Sequence, residues 1–402
     1  MISLSYLLDR LKDVKLEDYL SIFPMTVALL IKPFYKKKYR GTWLICEEPA
    51  EARDNGYHFF RYMCKEQPQK KCFYAIKKDS VDYHKVSDFG ETIEHGSIQH
   101  WLAYFLCEFN ISSQKGGKPN AAMCAFMEMN GRFHPRNIFL QHGITINKVR
   151  WLFADRSKID LFITATIDET IFIKDNFGYS KNSIRLTGFP RFDNLHNIEN
   201  STRQIIIMPT WRYWFNLNSK KNNDVNSDIG TSDYVYKWVE LLKSSNLIKI
   251  LEDNHLNLLF YLHRNMQSYI NYFKDCNSER VIIASWENYD IQDILKNSCM
   301  MITDYSSVFF DMVYMKKPIL FYQFDKKDFR KFQYDKGYFD YDNNLFGVSK
   351  NTLNDLLGAL DSIVKNNFTV SHEYLKEHQR IFKYYDSDNS KRVYEALMEI
   401  SL

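Results

Sequence analysis

Past residue 40 the chain alternates short, nearly unbroken apolar runs with helical patterns. The runs are Thr42–Cys46, Cys72–Ile76, Asn137–Gln141, Leu161–Thr164 and Ile184–Thr187, then Ile205–Met208, Leu256–Leu262, Val281–Ala284, Met300–Thr303 and Ile319–Phe324. Apolar residues at successive positions are expected of parallel strands buried on both faces. Helical patterns fall between them, as at Thr231–Ser245, Asp290–Lys296 and Val308–Tyr314. This alternation predicts an α/β protein with parallel sheets. The polar, strand-free stretch Asn194–Arg203 divides the strands five and five. Two doubly wound halves facing one another are therefore expected, over 41–195 and 204–350. Three helical segments, Asn351–Val364, Glu373–Lys383 and Ser390–Ile400, predict a helical tail over 351–402. The Asn- and Ser-rich stretch Asn216–Ser232 predicts a loop.

Composition narrows the class. With 402 residues, 45% hydrophobic and 25% charged, the chain has globular proportions and room for two domains, which excludes wholesale disorder and collagen-like or coiled-coil architecture. Seven cysteines (Cys46, Cys64, Cys72, Cys107, Cys124, Cys276, Cys299) are scattered and never spaced CxxC. They argue against a disulfide framework or structural zinc and for a reducing compartment. Met1–Leu20 mixes charged and apolar residues where a signal peptide would have a basic start and an apolar run. The simplest localisation is cytoplasmic.

The net charge of +4 is concentrated at one end. Residues 1–40 hold eight basic side chains (Arg10, Lys12, Lys15, Lys32, Lys36, Lys37, Lys38, Arg40) against Asp9, Asp13, Glu17 and Asp18, and residues 41–402 balance to zero. Tyr19–Ile31 is uncharged and is followed by KPFYKKKYR. Thirteen residues are too few to cross a bilayer, which takes about 20. An apolar run beside lysines and aromatics suits either an interfacial segment on anionic lipid or a buried first helix followed by a solvated lysine turn. Elsewhere there is no basic stripe, so a nucleic-acid partner is not expected.

In open α/β sheets ligands gather at the carboxyl ends of strands. Asn137–Gln141 is followed by His142-Gly143, then Lys148 and Arg150; a strand-end His suits a general base, and equally a surface residue. Ile205–Met208 is followed by Arg212, whose fork of donors fits a phosphate or a neighbouring carboxylate. Leu256–Leu262 is followed by His263-Arg264. Met300–Thr303 is followed by Asp304-Tyr305-Ser306-Ser307 ahead of a helical run, an arrangement that fits an anion site or plain capping. Together these ends fit a diphosphate held by the second half and a base on the first. No GxGxxG follows Thr42–Cys46, and GxxxxGK[ST] and HExxH are absent. A conventional dehydrogenase or P-loop NTPase is therefore not expected, nor is a protein-ligated metal or a resident cofactor.

The run ITDYSSVFFDMVYMKKPILFYQFD (Ile302–Asp325), with QHG at Gln141–Gly143, TGFPRFD at Thr187–Asp193, PTWR at Pro209–Arg212 and WLICEEPAEARDNG at Trp43–Gly56, resembles the CDP-glycerol glycerophosphotransferase family of teichoic acid and capsule enzymes. The resemblance covers roughly residues 42–345. It implies a GT-B-like fold, two Rossmann-type domains about a central cleft, held peripherally at the cytoplasmic membrane face. It further implies transfer of glycerol phosphate or ribitol phosphate from a CDP-alditol to a hydroxyl of a lipid-linked or polymeric surface glycan, with CMP released. His142 would be the base, His263 the second catalytic histidine, and Arg212, Thr303, Asp304, Ser306 and Ser307 the donor-binding set. Asp54, Asn55 and Lys148 would lie on the acceptor side. The family's usual HGTPLK is HGITINK here, which moves the lysine one position later, to Lys148. Arg264 stands where proline often follows the second histidine, an extra cation beside the diphosphate. Compared with polymerases carrying long N-terminal extensions, the chain looks more like a primase, a short-chain transferase or a capsule enzyme. A GT-B glycosyltransferase or a sugar-nucleotide epimerase shares the two-domain layout, and a catalytically dead scaffold would be expected to have lost the base.

Overall fold

The computed structural model describes residues 16–131, 135–198, 203–212, 230 and 232–401. Residues 1–15, with Arg10, Lys12 and Lys15, and the stretch Asn216–Ser232 apart from Gly230 and Ser232 lie outside the described residues, as do residues 199–202 between the two halves.

The first half forms a sheet of seven strands: β1 (Trp43–Cys46), β2 (Cys72–Ile76), β3 (Thr92–Glu94), β4 (Phe109–Ser112), β5 (Arg136–Phe139), β6 (Leu161–Thr164) and β7 (Ile184–Leu186), in the order β3-β2-β1-β4-β5-β6-β7. The second sheet has six: β8 (Gln204–Met208), β9 (Asn257–Tyr261), β10 (Val281–Ala284), β11 (Met300–Thr303), β12 (Ile319–Tyr322) and β13 (Gly347–Lys350), in the order β10-β9-β8-β11-β12-β13. Every ladder in both is parallel. In each sheet the winding reverses between the first strand and the fourth, β1/β4 and β8/β11, and such a reversal opens a crevice at the carboxyl ends.

The strand count exceeds the five and five read from the pattern. β3 is three residues with one buried side chain, and β13 buries none of its four. β4 (FNIS) is central and fully buried, yet two of its residues are polar, so it has no apolar run to betray it. Asn110 Nδ2 donates to Gly117 O at 3.4 Å and Ser112 Oγ donates to Gln114 O at 2.5 Å, so the donors of both side chains are paired with the loop that follows the strand.

One apolar cluster joins the two halves. It includes Trp43 and Phe59 on the first, Phe309 and Phe321 on the second, and Val393 and Leu397 of the last helix, Asn389–Ser401. That helix packs back on the first half: Tyr394 lies 5.8 Å from Trp43 between ring centroids. The amides of Asn389 and Ser390 donate to the Asp193 carboxylate at 2.7 and 3.0 Å, which caps the helix's first turn from outside.

The charged and uncharged parts of the N-terminal segment form one helix, Ile22–Tyr39, with Lys36, Lys37 and Lys38 in its last turn. This corrects the picture of a separate lysine turn, and cations at that end favour the helix dipole. Pro24 is accommodated in the first turn, where no donor is required of it. One face buries Ala28 and Tyr39, with Met25, Leu29 and Ile31, against Leu44, Phe73 and Trp101. No helix among the described residues is long and apolar enough to cross a membrane.

Leu397 is fully buried where the last helix meets the shared cluster. Leu397→Ala is expected to cost about 2–5 kcal/mol, read as a lowered midpoint in thermal or urea unfolding. A midpoint equal to wild type would show that the helix does not stabilise the fold.

Candidate active site

The first crevice is built around Asp54, which caps the helix Asn55–Glu66. Glu47, one residue past β1, turns its carboxylate under the start of that helix. It accepts from the amides of Arg53 (3.0 Å), Asp54 (3.2 Å) and Tyr57 (2.8 Å). Gly56 makes this possible, since a Cβ there would stand 2.9 Å from Glu47 Cγ. Burial pushes the Glu47 carboxyl up to about 7, Asp54 adding to the effect and the amide donors opposing it.

His142 lies just beyond β5 on a turn that is held from several sides. Gln141 adopts a left-handed φ of 63°, costly for a residue with a Cβ and sustained only where the surroundings over-determine it. Here Gln141 Nε2 donates to Ile163 O (2.6 Å) and to Glu169 Oε1 (2.9 Å), Gln141 Oε1 accepts from Thr145 Oγ1 (2.6 Å), and Asn55 Nδ2 donates to Gln141 O (2.7 Å). The buried Glu169 also accepts from the amides of Thr145 and Ala165, and burial pushes its carboxyl up to about 7 against those donors.

His142 Nδ1 is 2.5 Å from Asp54 Oδ2, and the imidazole is 61% exposed. Gln114 Nε2 also lies 2.8 Å from Nδ1. One ring nitrogen cannot donate to the carboxylate and accept from the amide at once, and the shorter, charge-assisted contact places the proton on Nδ1. Nε2 is thereby left as an accessible acceptor. Burial alone would lower the His142 pKa, but the charge and hydrogen bond of Asp54 outweigh it and the net shift is upward. Asp54 is in turn held below the usual carboxylate range: burial opposes this, and His142 and Arg191 prevail.

Arg191, in the 3-10 turn Pro190–Asn194, ties this pair to the second half. Its Nη1 donates to Asp54 Oδ1 and to His142 O, both at 2.9 Å, while Nε and Nη2 form a fork on Asp311 at 2.8 and 2.7 Å. Across the cleft stands the turn Ser306-Ser307: a Cβ on Gly143 would sit 2.7 Å from Ser307 Oγ. His263 faces the same space. Its Nδ1 accepts from Asn265 N at 3.2 Å, which puts the proton on Nε2. Burial, with the charge at His142 second, pushes its pKa down to about 3. At neutral pH it is an uncharged hydrogen-bond donor.

The structure thus brings Ser307 against the His142 turn and His263 within reach of the charge at His142, while Ser306 Oγ accepts from Val308 N at 3.4 Å and the geometry assigns other work to the remaining expected residues. Arg212 is fully buried, with Nε on Asp325 (2.8 Å) and Nη2 on Asp304 (2.7 Å), so its fork is engaged by carboxylates. Asp304, also fully buried, accepts from the amides of Thr210 (2.8 Å) and Tyr305 (2.6 Å). Thr303 Oγ1 donates to Met208 O in the neighbouring strand. These three shape the floor beneath the serine turn and present no surface to a donor. Asn55 is fully buried as well, with Nδ2 on Leu140 O and Gln141 O and Oδ1 accepting from Arg191 N. It and Asp54 are thus engaged in holding His142 and its turn. Lys148 is exposed in an antiparallel bridge with Asp335. Arg264 pairs with Glu51 and stacks on Trp286 at 4.6 Å, opposite Arg53 at 4.1 Å, so this cation latches the two halves.

Glu47, Gln114, Glu169, Arg191 and Asp311 are the residues that inspection of strand ends missed. Arg191 lies in the quoted TGFPRFD and Asp311 in the quoted FFDMV, but nothing local distinguishes a buried bridging ion from a surface one. Among the described residues, no group of three His, Cys, Asp or Glu side chains is placed to hold a metal ion.

The family model of CDP-glycerol:poly(glycerophosphate) glycerophosphotransferases matches residues 26–399. The minor teichoic acid biosynthesis protein GgaB of Bacillus subtilis is 32% identical over 373 residues, covering 90% of this chain and 40% of GgaB. A teichoic acid poly(glycerol phosphate) polymerase of Bacillus spizizenii is 28% identical, covering 61% of this chain and 60% of the polymerase. The chain thus spans about two fifths to three fifths of these relatives' lengths. The solved structure of the wall teichoic acid polymerase TagF matches 96% of this chain and 98% of that one, with a TM-score of 0.67 at 18% identity, a likeness of fold.

The contact with Asp54 makes the state of His142 testable without substrate. In a histidine NMR titration His142 is expected to titrate above the ordinary 6.5, so that its base form prevails only above that raised pKa. Asp54→Asn removes the raising charge and leaves burial and Arg191 to lower the value, so the midpoint should fall below wild type. An unmoved midpoint would refute the pairing.

Proposed function

The chain belongs to the CDP-glycerol:poly(glycerophosphate) glycerophosphotransferase family, and we propose that it moves an alditol phosphate, glycerol phosphate or ribitol phosphate, from a CDP-alditol to a hydroxyl of a lipid-linked or polymeric cell-surface glycan. One observation carries this reading: the Asp54–His142 pair of the first half stands opposite His263 and the Ser306-Ser307 turn of the second. On this reading residues 41–195 form the acceptor side and residues 204–350 the donor side.

The acceptor hydroxyl gives its proton to His142 Nε2. Its oxygen forms a bond to the β-phosphorus of the donor, and the bridging P–O bond breaks with its electron pair going to CMP. Phosphoryl transfer asks a protein chiefly for positioning and for donors aimed at developing charge. The neutral His263, with its proton on Nε2, supplies one such donor, and the Ser306 and Ser307 hydroxyls supply two more. Asp54 stabilises the imidazolium that forms, and the fork of Arg191 on Asp311 keeps the two halves at reacting distance.

The supporting assay is nucleotide release from CDP-glycerol, CDP-ribitol and UDP-sugars in the presence of a lipid-linked disaccharide. CMP release with one CDP-alditol is expected. His142→Ala is expected to lower it by about 10²–10⁴-fold, with the unfolding transition unchanged. UDP release from a UDP-sugar would instead make the chain a GT-B glycosyltransferase.

We also propose peripheral attachment to the cytoplasmic face of the membrane through residues 1–40. Leu16, Tyr19, Leu20, Phe23, Leu30 and Phe34 are exposed at helical spacing, Phe34 by 84%, and with Lys36–Lys38 they make a face suited to anionic lipid. Each lysine near such a surface is worth about 1 kcal/mol. Replacing all three with Gln should weaken binding to phosphatidylglycerol vesicles by about 10²-fold and leave binding to neutral vesicles unchanged. Equal co-sedimentation of variant and wild type with the anionic vesicles would refute this.

A further inference from the structure

One nitrogen of His142 is approached by two side chains. Asp54 Oδ2 lies 2.5 Å from Nδ1, and the end of the Gln114 carboxamide lies 2.8 Å from the same atom. The imidazole is 61% exposed, so packing does little to hold its plane. A single hydrogen bond leaves such a ring free to pivot about the line from Nδ1 to Oδ2. A second partner on the same nitrogen removes that freedom.

The backbone that presents Gln114 is fixed from several sides. Ser112 Oγ donates to Gln114 O at 2.5 Å and accepts from Gln114 N at 2.9 Å, closing a tight turn. Ser113 Oγ accepts from Gly56 N at 2.6 Å and donates to Glu47 Oε1 at 3.3 Å, which ties the turn to the helix that Asp54 caps. Gly117 N donates to Gln114 O at 3.2 Å, and a Cβ on Gly117 would overlap Ser112 Oγ and Cys46 O. Just beyond, Lys118 and Glu128 form a buried ion pair at 2.6 Å, and breaking such a pair is costly.

Chemistry decides which end of the amide faces the ring. Nδ1 carries the proton given to Asp54, and an amide N–H aimed at it would set hydrogen against hydrogen. A half-turn of the carboxamide puts Oε1 there instead, an acceptor able to share Nδ1–H with the carboxylate. We propose that Gln114 is a positioning residue for His142: its Oε1 is the second acceptor of Nδ1–H and, with Asp54, fixes the imidazole plane so that Nε2 stays turned to the cleft. The contact strengthens once Nε2 has taken a proton, because an imidazolium is the stronger donor. This inference deepens the reading of His142 as base and rests on it.

Histidine NMR of the full chain without substrate tests the pairing. The other charged or titratable groups about the ring and its loop are Glu47 and Arg191, His263 across the cleft and Glu48 beside Gly116; Lys115 turns away to the carbonyls of Trp151 and Arg156. All of them are kept in the variants. Gln114→Met keeps the length and loses the acceptor, so the imidazolium loses a partner and the His142 midpoint should fall by about 0.5–1 pH unit, the worth of one hydrogen bond. Gln114→Glu sets a second carboxylate on Nδ1, and the midpoint should rise above wild type. A midpoint unmoved or raised in Gln114→Met would show the amide idle or donating, and would overturn the proposal.

In the CMP-release assay Gln114→Met should lower kcat about tenfold, as for a loosened reacting group, with KM for the CDP-alditol unchanged. The rising limb of its pH profile should move down with the NMR midpoint, and that of Gln114→Glu should move up. A kcat equal to wild type, or a lowered kcat with the limb unmoved, would make Gln114 a loop residue only. If the wild type releases no CMP from any CDP-alditol, the phosphotransfer reading fails, and the substrate-free titration alone decides the pairing at Nδ1.

Discussion

A single guanidinium holds the site together. Arg191 is almost completely buried and divides its donors between Asp54 of the first half, Asp311 of the second and the backbone carbonyl of His142. Each partner is itself secluded from water, so none can be released cheaply. Removing one member of such a buried set leaves charge uncompensated, at a cost of about 3–5 kcal/mol. The orientation of His142, the protonation of the carboxylate beside it and the distance between the two sheets are therefore one constraint. Apolar packing through Phe192, Tyr314 and the last helix makes the halves cohere, but it is non-directional. The ion fork supplies the register.

Around that fork the two histidines are driven to opposite states. Desolvation within the cleft favours the neutral ring in both. His142 has a carboxylate at 2.5 Å and is raised, while His263, which has no such partner among the described residues, is depressed by desolvation and by the charge at His142 to about 3. Environments that push two like groups apart are how one site acquires a base and a neutral donor at the same pH. Glu47 and Glu169, each forced up to about 7, act a layer further back. One gathers the amides that set Asp54, and the other holds the strained Gln141 turn that carries His142.

The first half also carries the features that face outward. Its N-terminal helix buries one side against the sheet and leaves an apolar, lysine-flanked stripe on the other.

The α/β class and the strand ends that carry candidate chemistry were legible along the chain. Continuous apolar runs such as Ile205–Met208 and Met300–Thr303 can be stable only as parallel strands covered on both faces, and His142, His263, Ser306 and Ser307 stand at strand ends where such sheets bind ligands. β4 stayed hidden because its polar Asn110 and Ser112 interrupt the apolar run, and β3 and β13 because short edge strands need little apolar content. Which polar residues stay open to the cleft was left to the folding of the chain. Arg212, Thr303, Asp304 and Asn55 share the motif neighbourhoods of the cleft residues, yet each is buried with its donors and acceptors already engaged. Arg191 and Asp311 lie 120 positions apart, and nothing along the chain announces their fork. A residue's type and local pattern limit what it can do chemically, but burial and partners are properties of the fold.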